Sequence, residues 1–78
     1  MPLIKSVIKG LKILEFIANS TSPPTPLQIS NALGMNRTTV YHFIQTLESE
    51  GYVTRENQTN AYALGLKILP LVLSLIHI

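Results

Sequence analysis

The sequence predicts a mainly α-helical domain with one small β-hairpin, arranged as a winged helix-turn-helix. Apolar residues recur with a helical period in three successive runs before Gly51. Two short segments after Gly51 alternate between apolar and polar residues around a polar turn. A short glycine-containing connection joins the second and third runs, which is the spacing of a helix-turn-helix. The hairpin that follows the third helix is then the wing.

The composition limits what the chain can do. Its 78 residues suffice for one small domain, whose core is only marginally stabilising without a partner. The absence of cysteine excludes disulfides, thiolate metal sites and thiol redox chemistry. Six basic against four acidic residues give a formal net charge of +2, which is compatible with nucleic-acid binding. The composition therefore favours a small binding domain that associates with a partner.

The first helix is predicted from Ser6, a possible N-cap, to Asn19. Helical periodicity groups its core-facing residues into one stripe, with Ile17 at the edge: Val7, Leu11, Leu14 and Ala18. Ile13 and Phe16 lie off this stripe and form a second apolar patch. That patch either covers the C-terminal segment of the same chain or supplies the contacts of a homodimer.

The second helix has clear start and stop signals. Adjacent prolines break any helix before it, and Thr25 and Gln28 have the spacing of a capping box around Pro26. Gly34 supplies the left-handed residue that ends the helix near Leu33. Its apolar residues are predicted to pack inward: Leu27, Ile29, Ala32 and Leu33.

The third helix, capped by Asn36, runs from Arg37 to about Glu50 and carries the predicted binding surface. One side has core spacing: Val40, Phe43, Ile44 and Leu47. The other side has hydrogen-bonding side chains suited to base edges: Thr38, Tyr41, His42 and Gln45. Arg37 and the backbone amides of Thr38 and Thr39 are predicted to hold a phosphate at the positive end of the helix dipole. The alternative for this helix alone is an ordinary solvated surface.

Tyr52 to Arg55 and Ala61 to Leu64 are the predicted strands, joined by a polar turn. Two strands are marginal alone, so we expect Tyr52 or Val53, together with Tyr62 and Leu64, to pack on the helices. Arg55 and Asn57 are predicted to contact a phosphate backbone or a minor groove. The alternative for Arg55 is a solvated side chain paired with Glu56.

The last segment, from about Gly65, is predicted to be a fourth helix that Pro70 either kinks or ends. It contains Lys67 and Pro70 and is too short and interrupted for a membrane span, which needs about 18 to 20 apolar residues. The N-terminus lacks the pattern of a signal peptide. The sequence therefore predicts a cytoplasmic protein without a membrane anchor.

Enzymatic chemistry is not expected. The serine and threonine hydroxyls have no histidine and carboxylate arranged as base and orienter, and no glycine loop could hold a phosphate. His42 and His77 have no nearby cysteine or acidic partner for a metal site. The sequence predicts neither a metal nor another cofactor.

The order of these motifs resembles the N-terminal domain of IclR-type bacterial transcription regulators over about residues 5 to 67. The resemblance is carried by GLKILEFIA, LQIS, GMNRTTVY, GYV and YALG. It implies a dimer on operator DNA, with the third helix in the major groove and dimer contacts through the first and linker helices. It also implies a domain at residues 1–65, the start of a truncated linker helix at 66–78, and a missing C-terminal domain that binds a small-molecule effector.

The chain departs from this family at two places. His42 stands where the family often has a basic residue, and the tail LVLSLIHI does not resemble the usual linker.

The predicted function is sequence-specific binding of double-stranded DNA by part of a transcription regulator. The alternative is a protein-interaction module that uses the first-helix patch and the C-terminal segment. Salt dependence distinguishes them, because DNA binding weakens steeply with salt and an apolar interface does not.

Overall fold

The computed structural model describes residues 2–57 and 59–76, so His77 lies outside the described residues. The elements in chain order are α1 Lys5–Asn19, α2 Pro26–Leu33, α3 Arg37–Ser49, β1 Val53–Arg55, β2 Tyr62–Leu64 and α4 Ile68–Ile76. This order of three helices, an antiparallel hairpin and a fourth helix confirms the predicted fold class.

The boundaries of α2 follow the predicted signals. The N–H of Gln28 donates to Thr25 Oγ1 at 3.2 Å, and the N–H of Thr25 donates to Gln28 Oε1 at 2.9 Å. This confirms the capping box, and Pro26 occupies the first turn. Gly34 ends the helix with a left-handed φ of 66°. Because both signals depend only on neighbouring residues, the sequence predicts them well.

One hydrophobic core joins the three helices and the hairpin. Its buried members are Ile13, Ile17, Ile29, Val40, Ile44, Val53 and Tyr62. The predicted core residues of α3 are confirmed, since Val40 and Ile44 are buried and Phe43 and Leu47 pack against them. The prediction for α2 is wrong in part, because Leu27 and Ala32 are exposed.

The predicted core stripe of α1 is wrong in part. Val7 and Leu11 are 55% and 53% exposed and Ala18 is also exposed, whereas Leu14 packs against the core and Ile17, at the edge of the predicted stripe, is buried with Ile13. The reason is that α1 has two apolar faces with the same helical spacing, and periodicity does not say which one meets the other helices. Ser6 is not the N-cap, because α1 begins at Lys5 without a side-chain cap.

Because this other face of α1 meets the core, the patch of Ile13 and Phe16 has a different role from the predicted one. Ile13 has no exposed surface, so the prediction that it contacts a second copy is wrong. Phe16 is half-buried and packs against the same core. Both side chains therefore pack within the chain, in the core that α1 forms with the other helices and the hairpin.

The hairpin is held on both of its sides. Within it, Val53 pairs with Leu64 and Arg55 pairs with Tyr62. On the outer side of β2, the N–H of Tyr62 donates to the carbonyl oxygen of Pro24 at 2.9 Å, which ties the hairpin to the loop before α2. Val53 and Tyr62 are buried, which confirms that they attach the hairpin to the helices.

Helix α4 projects an apolar surface into solvent. Its exposed apolar residues are Leu69, Leu71, Val72, Leu73 and Leu75. Pro70 lies in the first turn of α4, where a proline is tolerated, so the prediction that it kinks or ends the helix is wrong. In the part of the chain that the structure describes, no helix has the length and apolar character needed to cross a membrane.

Candidate nucleic-acid interface

The outer face of α3 presents polar side chains on a rigid support. Its exposed residues include Thr38, Tyr41, His42 and Gln45. On the opposite side of the helix, Val40 and Ile44 have no exposed surface. Because these two anchors fix the rotation of α3, the polar row is held outward as the periodicity predicted. Such a face can offer donors and acceptors to a groove about as wide as an α-helix.

The start of α3 is less open to a phosphate than the sequence suggested. Asn36 Oδ1 accepts the N–H of Thr38 at 2.8 Å, which closes the helix with an N-cap. The predicted use of the Thr38 amide for a phosphate is therefore wrong, because the cap occupies this donor. Arg37 is exposed, and the side chain of Thr39 is half-buried. Arg37 thus remains the charged candidate at this end.

The wing is ordered by hydrogen bonds of its own. The N–H of Glu56 donates to the carbonyl oxygen of Ala61 at 2.9 Å, and the N–H of Thr59 donates to that of Glu56 at 3.0 Å. Arg55 is exposed and donates its Nε–H to the carbonyl oxygen of Thr59 at 3.2 Å. A guanidinium has five N–H donors, so Arg55 can support the wing and also offer donors to a phosphate.

Asn57 occupies the tip of the wing with an exposed side chain and a left-handed φ of 49°. Asparagine tolerates this conformation better than most residues, because its side chain can hydrogen-bond locally. The residue type therefore suits the turn whether or not it binds a ligand. Its predicted contact with DNA stays a prediction.

Tyr62 links the outer face of α3 to the wing. Burial raises the pKa of Tyr62, and the charge of Arg55 on the paired strand opposes that shift. Glu48 and Tyr41 of α3 raise the pKa of Tyr62 further. The ionisation of Tyr62 therefore responds to the charges of Arg55, Glu48 and Tyr41. Arg55 pairs with Tyr62 in the hairpin, and Tyr41 lies on α3.

A second surface, whose residues the sequence pattern assigned to the core, lies between α1 and α3. It is an apolar groove of about 280 Å³, lined chiefly by Val7, Leu11, Leu14, Phe43 and Leu47. Gly10 also lines it, and a Cβ atom at this position would lie 3.7 Å from the ring of Phe43, an ordinary van der Waals distance. We call it the α1–α3 groove. The apolar stripe of α1 in the sequence contains these groove residues. The stripe was predicted to face the core, but Val7 and Leu11 line this exposed groove instead.

Metal binding has no structural support among residues 2–57 and 59–76. No group of three or more histidine, cysteine, aspartate or glutamate residues is placed to hold an ion in that part of the chain.

Relatives that resemble this chain in sequence are named as transcriptional regulators. The family model described as the IclR helix-turn-helix domain matches residues 6–57. The HTH-type transcriptional regulator KdgR of Dickeya chrysanthemi is 34% identical over 68 residues, which cover 87% of this chain and 22% of KdgR. The HTH-type transcriptional regulator XynR of Escherichia coli K12 is 29% identical over 69 residues, which cover 88% of this chain and 27% of XynR.

Solved structures agree with the sequence relatives. The crystal structure of an IclR transcriptional regulator from Alicyclobacillus acidocaldarius has a TM-score of 0.84 at 30% identity, and the match covers 90% of this chain and 28% of that one. This chain spans about a quarter of the length of the curated relatives it matches. The chain belongs to the IclR family, because the model of that family's helix-turn-helix domain matches residues 6–57, about two thirds of the chain.

Proposed function

We propose that this chain binds operator DNA with α3 in the major groove and the wing on the adjacent backbone or minor groove. The observation that carries the proposal is the division of α3 into a buried side and an exposed polar side. Val40 and Ile44 are fully buried, while Thr38 and Gln45 point away from the core. A groove admits one helix, and hydrogen-bonding side chains on its exposed side can distinguish base pairs.

Within that surface, the residues have different proposed roles. Thr38, Tyr41, His42 and Gln45 are proposed to contact base edges, and Gln45 can form a bidentate pair with adenine. The cationic residues at either end, Arg37 and Arg55, are proposed to contact phosphates, which position the protein but carry no sequence information. The backbone amide of Thr39 and the side chain of Asn57 are proposed as further phosphate contacts.

We further propose that the chain binds DNA as a homodimer through the α1–α3 groove. Val7 and Leu11 are more than half exposed in a single chain, and α4 exposes several leucines. A monomer of this size seldom leaves so much apolar surface in water. A second copy would cover this surface and would place two recognition helices on one duplex, about one helical turn apart if they enter successive major grooves.

The alternative of a protein-interaction module without DNA binding has no support of its own. It relied in part on the patch of Ile13 and Phe16, and Ile13 is fully buried within the chain. The relatives, moreover, are named as transcriptional regulators rather than as adaptors. Regulation by a small-molecule effector through a C-terminal domain, and a cytoplasmic location, stay predictions from the sequence.

Selection of bound sequences from random duplex DNA, followed by fluorescence anisotropy over a salt series, tests the proposal. We expect a preferred sequence, and an affinity that falls steeply with salt by about 0.9 units of logarithmic slope for each phosphate neutralised. A scrambled duplex of equal length should bind more weakly with a similar salt dependence. Equal binding to both duplexes, or an affinity independent of salt, would contradict the proposal.

A further inference from the structure

Half of the basic residues of the chain form one row on α1 that the proposed interface does not use. Lys5, Lys9 and Lys12 are all exposed. They are spaced by four and then three residues, so they project from the same side of the helix. At about 1.5 Å per residue, the row extends for about 10 Å. We call it the lysine row.

The lysine row is not expected to stabilise α1. Like charges at four-residue spacing repel one another and weaken a helix. Lys5, Lys9 and Lys12 line a shallow groove of about 340 Å³, and none of the described residues that line it is acidic. Such a concentration of unbalanced positive charge is suited to an anionic partner.

The position of the row relates it to the start of the recognition helix. The same groove is lined by Leu33, Gly34 and Met35, which form the end of α2 and the turn before α3. The next residues along the chain are Asn36, which caps α3, and Arg37, its first residue. The lysine row therefore borders the turn that leads directly into α3.

We propose that the lysine row binds the phosphate backbone of duplex DNA that flanks the half-site read by α3. This inference rests on the proposed function. When the N-terminal residues of a recognition helix reach the base edges, the helix before it crosses the backbone that borders the groove. The lysine row shares its groove with the end of that preceding helix, α2, so it lies within reach of the phosphates next to that crossing.

The chemistry of lysine fits this role. Its ammonium is a compact charge on a flexible stem, so it can follow a phosphate without a fixed geometry. Contacts of this kind add affinity and fix orientation but do not read sequence. The lysine row therefore extends the bound segment of DNA beyond the bases that α3 contacts, and it contributes equally on every flanking sequence.

The test uses the whole 78-residue chain and a duplex that it has selected from random DNA. In the variant Lys5→Gln, Lys9→Gln, Lys12→Gln, we expect the salt slope to fall by about 2.7 units per bound subunit. Between about 50 and about 200 mM salt, wild-type affinity should then fall roughly forty-fold more than that of the variant. The preferred sequence should not change. Circular dichroism verifies that the variant is folded.

Two comparisons separate this role from a general effect of charge. Lys9→Gln should lower the slope by about 0.9 units, whereas Lys67→Gln, which removes the same charge from the groove at the hairpin base, should not. Trimming the duplex to the selected bases should weaken wild-type binding and leave the triple variant unchanged.

The outcomes are distinguishable. Equal slopes for Lys9→Gln and Lys67→Gln, or equal sensitivity of wild type and triple variant to trimming, would overturn the lysine row while leaving DNA reading by α3 intact. A triple variant that keeps its DNA binding but loses binding to phosphatidylserine vesicles would assign the row to a membrane surface and also overturn the inference. If wild type bound no duplex in a salt-dependent manner, the proposed function and this inference would both be wrong.

Discussion

Gly65 packs against the backbone of Gly51 so closely that a Cβ atom at Gly65 would overlap the carbonyl oxygen of Gly51. Beside this contact, the N–H of Gly65 donates to the carbonyl oxygen of Tyr52 at 2.9 Å, and the N–H of Lys67 donates to that of Gly51 at 3.2 Å. The end of the hairpin is thereby fixed to the end of α3. The position of the wing relative to the recognition helix depends on this contact.

The first prediction concerns this close approach of two glycines. Gly65→Ala should lower the free energy of unfolding by about 1 to 3 kcal/mol, because the added methyl group forces the two backbone segments apart. Gly10→Ala is the control, since its Cβ would lie 3.7 Å from the ring of Phe43, an ordinary contact in a helix interior. This change should raise stability by about 0.5 to 1 kcal/mol. Urea denaturation followed by circular dichroism measures the free energy of unfolding of both variants. If the two variants changed it in the same direction, Gly65 would not be the position that requires a glycine.

The second prediction concerns pH and Tyr62. Burial raises the pKa of this phenol above its ordinary value, which is about 10. As pH rises, the unfolded chain therefore ionises Tyr62 before the folded chain does. The stability that the neutral phenol contributes is complete below about pH 10 and is lost as the pH rises through the raised folded pKa.

Tyr62→Phe isolates that contribution from the other groups that titrate at high pH. Denaturation at several pH values from about 8 to about 11 should show a steeper loss of stability for wild type than for the variant. Parallel curves for the two proteins would show that Tyr62 ionises equally in the folded and unfolded states.

The third prediction concerns the reading of sequence by α3. Thr38→Ala and Gln45→Ala should each cost about 1 to 3 kcal/mol on the selected duplex and relax the preference at particular base pairs. Ser49→Ala is the control on the same helix, because Ser49 is the last residue of α3, lies outside the α1–α3 groove and donates its hydroxyl to the carbonyl oxygen of Thr46. Anisotropy on selected and scrambled duplexes measures the change. Equal effects of Thr38→Ala and Ser49→Ala would show that α3 does not read bases with this face.

The fourth prediction concerns the wing. Arg55→Ala should weaken binding to every duplex and lower the salt slope by about 0.9 units for each phosphate that the wing no longer neutralises, with the preferred sequence unchanged. Arg55→Lys keeps the charge but removes the Nε–H that reaches Thr59. Arg55→Lys should therefore restore the salt slope of wild type, but its wing lacks the hydrogen bond to the carbonyl oxygen of Thr59. A change of preferred sequence in Arg55→Ala would instead place Arg55 at base edges.

The fifth prediction concerns the dimer. Leu11→Gln should convert a dimer into a monomer in sedimentation equilibrium, because it places an amide in the α1–α3 groove. Leu27→Gln is the control, since Leu27 is similarly exposed but lies on α2, outside that groove. Both changes are at exposed positions and should leave the fold intact. Dimers of equal strength in both variants would place the contact elsewhere, and a monomeric wild type would rule out self-association.

The helix ends that depend on neighbouring residues could be predicted from the sequence alone. Thr25, Pro26 and Gln28 specify the start of α2, Gly34 specifies its end, and Asn36 caps α3. The anchors and the exposed row of α3 could also be predicted, because this helix has only one apolar side. Caps and turns use hydrogen bonds within a few residues, so no distant part of the chain can change them greatly.

Which side of α1 enters the core could not be read from the sequence and depends on the packing of the whole fold. The stripe of Val7 and Leu11 and the pair Ile13 and Ile17 have the same helical spacing, so periodicity fits either. The choice depends on the shape of the space between α2, α3 and the hairpin, which Ile13 and Ile17 fill in the folded chain. Packing of this kind is a property of several elements together, and for that reason it is not contained in the pattern of any one of them.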